Sequence, residues 1–229
     1  IALDPKPKLI ATYSDAGSGV KLSTFQATLD GAAVAFAVGP AKAEFTPQTP
    51  LADGPHTFVV TLSDNLGNVA QVTSVFRIVA SATAIGAGGG STAITDPTRS
   101  GFGASIVIPE AALAQSVLFT IEHVANPATY PAGFIPSGVV VDFNPSISFS
   151  QPATIAIPYD PAIAQAAGVP ETALKLLKFD VALNLWVQVP VLFIDTSANL
   201  IYAKVTELIG VQFGVAAQIA DPTESAVEA

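Results

Sequence analysis

The sequence predicts an all-β protein, two antiparallel β-sandwiches in tandem, and three observations carry that prediction. Short runs rich in Val, Ile, Thr, Phe and Ala recur along the chain, each about 4–8 residues long, the length and composition of strands. Between them stand 18 Pro and 17 Gly, the residues that break strands and build turns. A stretch of small residues near 80–90 divides the 229 residues into parts of ordinary domain size.

In the first part, strands are expected near Lys8–Tyr13, Ser23–Leu29, Ala33–Val38, Ala41–Thr46, His56–Ser63 and Asn68–Val79. Within His56–Ser63, Phe58 and Val60 fall on one side and Thr57, Val59 and Thr61 on the other. Asp30-Gly31, Asp53-Gly54 and Gly67-Asn68 supply the positive-φ positions that tight turns need. Several strands at this spacing make a sandwich over residues 1–80. Residues 81–91 are nearly free of side chains and are expected to be a Gly/Ala/Ser-rich linker, the alternative being a loop that crosses a sandwich end.

The strand pattern resumes over 92–218. Runs stand at Ser105–Ile108, Val117–Val124, Val139–Phe143, Thr154–Pro158, Leu174–Phe179, Trp186–Val191, Leu200–Val205 and Val211–Ala216. Pro109–Ala114 and Pro161–Ala167 read as short helical turns, each opening on a Pro whose missing N–H does no harm there. Residues 219–229 are small and acidic and are expected to form a flexible tail.

Composition narrows the function. The formal net charge of −9 opposes binding to phosphate backbones, so nucleic acid is an unsuitable partner. No apolar run approaches the roughly 18 residues of a membrane helix. Half the residues are hydrophobic and 12% are charged, so apolar surface must be buried in cores or against neighbours. Cys is absent, which removes disulfides, thiolate metal sites and Cys nucleophiles, and fits a bacterial exported protein. With no Met at position 1 and no leader, the expectation is a mature product or a piece of a longer parent.

Turn motifs in the first part carry a resemblance. Ser14-Asp15-Ala16-Gly17-Ser18-Gly19-Val20, Leu29-Asp30-Gly31, Leu51-Ala52-Asp53-Gly54-Pro55-His56-Thr57 and Ser63-Asp64-Asn65-Leu66-Gly67-Asn68-Val69-Ala70 follow in order. Residues 5–80 thereby resemble the Ig-like repeats of bacterial surface proteins. In the second part, Gly103–Leu113, Gly138–Pro145, Phe149, Pro152–Tyr159, Phe179-Asp180, Trp186, Val205-Thr206 and Phe213-Gly214-Val215 keep the order of another module. Over residues 92–217 the chain is similar to a ZU5 domain, which implies a second β-sandwich. Some ZU5 domains cut their own backbone at a His-Phe-Ser step. Here the segment reads Val205-Thr206-Glu207-Leu208-Ile209-Gly210, with Glu207 at the His position and Ile209 at the Ser position. The His and the Ser nucleophile of that step are both replaced, so no autoproteolysis is expected.

Other candidates are few. His56 and His123 fall in separate parts and do not suggest a shared site. Asp15, Asp64, Asn65 and Asn68 lie in loops of the first part, where Ca²⁺ takes oxygen ligands, and are the candidate metal ligands. The competing reading is that they serve their own turns. Asp160 and Asp180 read as a helix cap and a turn residue. Trp186 is expected in the core, and Tyr130, Tyr159 and Tyr202 are candidates for a stacking surface if they share a face.

The expected role is therefore non-catalytic: a spacer, adhesion or surface-assembly module of an exported or cell-surface bacterial protein, with no cofactor beyond the candidate Ca²⁺. Its partners would be neighbouring domains, other surface proteins or copies of itself. The alternatives are a binding module for carbohydrate or protein, and a subunit of an extracellular filament or layer.

Overall fold

Period-two alternation sets the layers of this all-β chain. The computed structural model describes residues 1–219, and the chain divides into a unit Ile1–Val79 and a second unit beginning at Ala80. Among the described residues, no helix is long and apolar enough to cross a membrane. The tail expected at 219–229 lies, beyond Ile219, outside the described residues.

The first unit comprises β1 (Leu9–Thr12), β2 (Val20–Leu29), β3 (Ala32–Ala33), β4 (Ala37–Val38), β5 (Lys42–Phe45), β6 (Gly54–Asp64) and β7 (Val69–Ile78). They make a three-stranded sheet, β1-β5-β4, and a four-stranded sheet, β3-β2-β6-β7, antiparallel throughout. The expected strand at Ala33–Val38 is instead two short strands in different sheets. The chain crosses between layers there because Phe36 gains ring neighbours by doing so. Its ring centroid lies 5.5 Å from Phe25, 5.3 Å from Phe45 and 5.3 Å from Phe58. Such contacts add to plain area burial.

The second unit comprises β8 (Ser81–Ile85), β9 (Gly90–Ala93), β10 (Ser105–Ile108), β11 (Val117–His123), β12 (Phe134–Pro136), β13 (Val141–Asn144) and β14 (Ser148–Pro158). It continues through α1 (Pro161–Ala166), β15 (Lys175–Asp180), β16 (Leu185–Val189), β17 (Val191–Asp195), β18 (Leu200–Glu207) and β19 (Val211–Gln218). One sheet runs β16-β15-β19-β13-β11-β8 with β12 beside β19, and the other runs β17-β18-β14-β10-β9. Both contribute to one core, with Phe119, Phe143 and Phe213 from the first sheet and Ile106, Ile155 and Ile201 from the second. The expected strand Trp186–Val191 is two strands, one in each sheet, separated at Pro190, which has no N–H for either ladder.

The expected linker at 81–91 is a correction. β8 pairs with β11 and β9 pairs with β10, so the segment carries the chain from one sheet to the other. Its small residues reflect closeness. At Gly89, with φ 74°, an added Cβ would come within 2.7 Å of the Ile108 carbonyl oxygen. The Thr92 hydroxyl, buried, stands 2.7 Å from Ser81 Oγ and accepts from Thr83 Oγ1 at 3.0 Å. Pro109–Ala114 is likewise a turn and not a helical one. Ala111 takes φ 60°, outside the helical region, and donates its N–H to Ala87 O at 2.8 Å. At α1 the Asp160 carboxylate accepts from Ala162 N, capping a helix that opens on Pro161.

Phe213 is fully buried in this core, and Trp186, the one Trp of the chain, belongs to the same unit. Phe213→Ala is expected to cost about 3–5 kcal/mol, measured as a lowered urea midpoint in Trp186 fluorescence. An unchanged midpoint would contradict the packing described.

Candidate functional site

The two sheets of the first unit are unequal, and the mismatch opens a groove. β7 extends past the cover of the three-stranded sheet, so the side chains it shares with the inner face of β6 stay partly uncovered. Phe58, Val60 and Leu62 of β6 and Val72 and Phe76 of β7 line one wall, and Leu9 to Tyr13 the other. The groove holds about 890 Å³. Val72 faces it while 66% exposed.

At one end of this unit lie the loops that carry the candidate Ca²⁺ ligands. The structure does bring them together: Asn65 donates its backbone N–H to Gly19 O at 3.0 Å and its Nδ2 to Ser18 O at 2.8 Å. Yet the oxygens are turned onto the protein's own backbone. Asp15 Oδ1 accepts from Gly17 N at 2.9 Å and Gly19 N at 2.6 Å. Asp64 Oδ1 accepts from Leu66 N at 2.9 Å and Asn68 N at 2.8 Å, and its Oδ2 accepts from Asn68 Nδ2 at 2.7 Å. The Asn68 amide, with the Asn68 and Leu66 N–H groups, holds the Asp64 carboxyl below its ordinary value. Among the described residues, no group of three or more His, Cys, Asp or Glu is arranged to hold a metal ion. Asp15 and Asp64 thus close their own turns, with Asn68 donating to Asp64 and Asn65 to Ser18.

The other candidates also resolve into local roles. Asp180 Oδ1 accepts from Ala182 N at 2.9 Å and Leu183 N at 3.0 Å. Asp96 and Asp195 do the same for Thr98 N and for Ser197 N and Ala198 N. The three tyrosines do not form one surface. Tyr130 stacks on Trp186 at 4.3 Å, Tyr159 donates to Glu171 Oε2 at 2.5 Å, and Tyr202 stacks on Phe193 at 4.2 Å. Trp186 is partly buried outside the core, held between Tyr130 and Phe179 while its Nε1 donates to Thr129 O at 3.1 Å. Tyr130 reaches the sheet because Gly214 has no side chain. A Cβ there would overlap the Tyr130 hydroxyl.

Glu207 closes β18 and Ile209 sits exposed in the turn that follows. Neither side chain is a nucleophile poised on a strand.

One pair escaped the sequence reading. His56, buried in β6, places Nδ1 2.7 Å from Asp30 Oδ2 and Nε2 2.9 Å from Ala52 O. Each ring nitrogen faces an acceptor, so a ring carrying both protons donates twice. Asp30 Oδ1 also accepts from Thr57 N at 2.9 Å. Burial pushes the Asp30 carboxyl up, but the His56 hydrogen bond and charge and the Thr57 N–H together outweigh it and hold the group below its ordinary value. The pair ties the β2–β3 turn to β6. Its only sequence trace is the Asp-Gly at 30–31 and the Gly-Pro-His at 54–56.

The chain matches no protein-family model, and no curated protein matches it in sequence.

The Asp30 shift has a signed consequence. The native state binds the Asp30 proton more weakly than the unfolded chain, so the stabilisation is complete above about pH 4 and is lost as pH falls through the depressed native value. The urea midpoint of the first unit, read from the Thr57 amide resonance, is expected to drop below about pH 4. Asp30→Asn should lower the midpoint at neutral pH and flatten that acid loss. A wild-type midpoint indifferent to acid would contradict the pairing.

Proposed function

We propose that this chain is a non-catalytic structural and interaction module of an exported or cell-surface bacterial protein. The observation that carries the reading is how the loop carboxylates are used. Asp15, Asp64, Asp96, Asp160, Asp180 and Asp195 each accept hydrogen bonds from backbone N–H groups within their own loops. Carboxylates held this way fix loop shape, which is what a spacer or display framework needs. Catalytic loops instead aim side chains at a substrate.

Two all-β units with apolar side chains in each suit the same role. The open groove and the exposed valines of the first unit offer apolar surface to a neighbour. The Ig-like and ZU5-like resemblances of the two halves agree with a place in a multi-domain surface protein. Where self-cleaving ZU5 domains carry His and Ser, this chain has Glu207 and Ile209, and Ile209 has no hydroxyl to attack with.

Prolonged incubation of the purified chain at physiological temperature, followed by mass spectrometry, tests the non-catalytic reading. A single intact mass is expected. Two fragments meeting between Leu208 and Ile209 would overturn it. Fractionation of cells making the parent protein tests the location, with the surface or culture medium expected and the cytoplasm the contrary outcome.

A further inference from the structure

The open side of the first unit ends in a strand edge whose chemistry suits pairing with itself. β7 is the outermost strand of its sheet, with an unbroken ladder to β6 from Gly54↔Ile78 to Ser63↔Val69. On its other side Ala2 N donates to Arg77 O at 2.8 Å and Val79 N donates to Ala2 O at 3.0 Å. These bonds fix the direction of the backbone. In an antiparallel strand alternate residues point their N–H and C=O the same way, so Val75, Thr73, Gln71 and Val69 also point outward. The N-terminal residues meet this edge at the Arg77 end. Among the described residues, the stretch Val69–Val75 pairs with β6 alone.

Sheet edges in monomeric proteins are ordinarily guarded by charges, prolines or bulges. Along residues 69–76 the edge of β7 has none of these, and its one charge, Arg77, lies at the end that Ala2 meets. Residues 69–76 read Val-Ala-Gln-Val-Thr-Ser-Val-Phe, without a charge or a proline, in a chain of net charge −9. Along this strip two acidic copies approach without bringing like charges together. Val69, Val72 and Val75 are 70%, 66% and 69% exposed, Val72 on the groove face and Val69 and Val75 on the opposite one.

The register of a self-pair follows from the residues. Val72 is the midpoint of Val69–Val75. Two copies of β7 set antiparallel about Val72 place Gln71 opposite Thr73 and Val69 opposite Val75, all with outward backbone groups, as hydrogen-bonded pairs require. Val72 then faces Val72 of the second copy as a non-hydrogen-bonded pair. Every exposed valine of the edge meets another valine, and the pairing spans Val69–Val75. Val72 lines the groove, so the same pairing brings the open inner faces of the two copies together.

We infer that β7 is a self-association edge, through which two copies of this chain pair antiparallel about Val72. The inference rests on the interaction-module reading and gives that module a partner. It is decided by oligomeric state, whereas that reading is decided by backbone cleavage and location, so the two fail separately.

Sedimentation equilibrium of the full chain over a wide concentration range is the first test, and a monomer–dimer equilibrium is expected. A monomer at every concentration overturns the inference, including a monomer whose groove takes up an extended peptide of another protein. Register is tested with cysteines, since the chain has none. Non-hydrogen-bonded pairs put Cα atoms about 4.5 Å apart, within disulfide reach. Val72→Cys should therefore oxidise to a covalent dimer, while Val69→Cys alone should not, and Val69→Cys combined with Val75→Cys should. Dimers that fail to cross-link through Val72→Cys, or that cross-link equally through Val69→Cys alone, use another surface and overturn the inference. Val72→Lys sets two cations opposite each other and should shift the wild-type dimer to monomer. If a variant unfolds, the wild-type sedimentation result stands by itself.

Discussion

A backbone N–H that leaves a strand ladder at a turn needs a new acceptor, and in this chain aspartate carboxylates supply it loop after loop. Asp15, Asp64, Asp180 and Asp195 each take two backbone donors. The turns so closed set where each strand begins, and with period-two side chains a slip of one residue would carry a core face to solvent. The layering of both units therefore depends on these short local bonds. Asp30 extends the device: it serves Thr57 and His56, residues 27 and 26 positions away, and so pins one strand pair by its turn.

The chain also changes sheet within short spans. It does so around Phe36 in the first unit, and across Gly86–Gly89 and at Pro190 in the second. Each crossing has its own cause. An aromatic ring finds ring partners, a glycine lets backbone approach backbone, and a proline breaks the ladder. All three place consecutive strands in opposite layers, so that residues close in sequence cover one core from both sides. Ile85 and Ile94, from β8 and the end of the β9 segment, are both buried in the core of the second unit.

What the sequence made legible follows from what is local. Alternation in His56–Ser63 and the Asp-Gly turns are read within a few residues, and so is the Asp160-Pro161 helix start. The all-β class follows from the same signals. The segment 81–91 was opaque because small residues have two opposite uses, freedom in a linker and close approach in a packed strand, and the Ile108 carbonyl beside Gly89 decides between them. Trp186 was opaque for a similar reason. Its place outside the core depends on Tyr130 and Thr129, 56 and 57 residues earlier. For the candidate site, turn chemistry put Asp15 and Asp64 in loops, but that the two loops meet follows only from the fold. The direction of their oxygens was not legible either, because a carboxylate that closes a turn and one that binds Ca²⁺ occur in the same short motifs.

The edge character of β7 belongs to this second class. Val69–Phe76 reads as an ordinary strand, and nothing within it says whether one neighbour or two will pair with it. Strand order decides that: four strands in one sheet against three in the other leave β7 outermost and its inner face short of cover. An uncovered face alone is weakly informative, since folded proteins keep much apolar surface. The coincidence is the stronger observation. The strip that lacks cover is the strip that lacks charge, and its outward backbone groups, exposed valines and midpoint residue share one axis about Val72. Pairing itself needs only the outward backbone groups; the uncharged valines are what let two acidic copies bring those groups together.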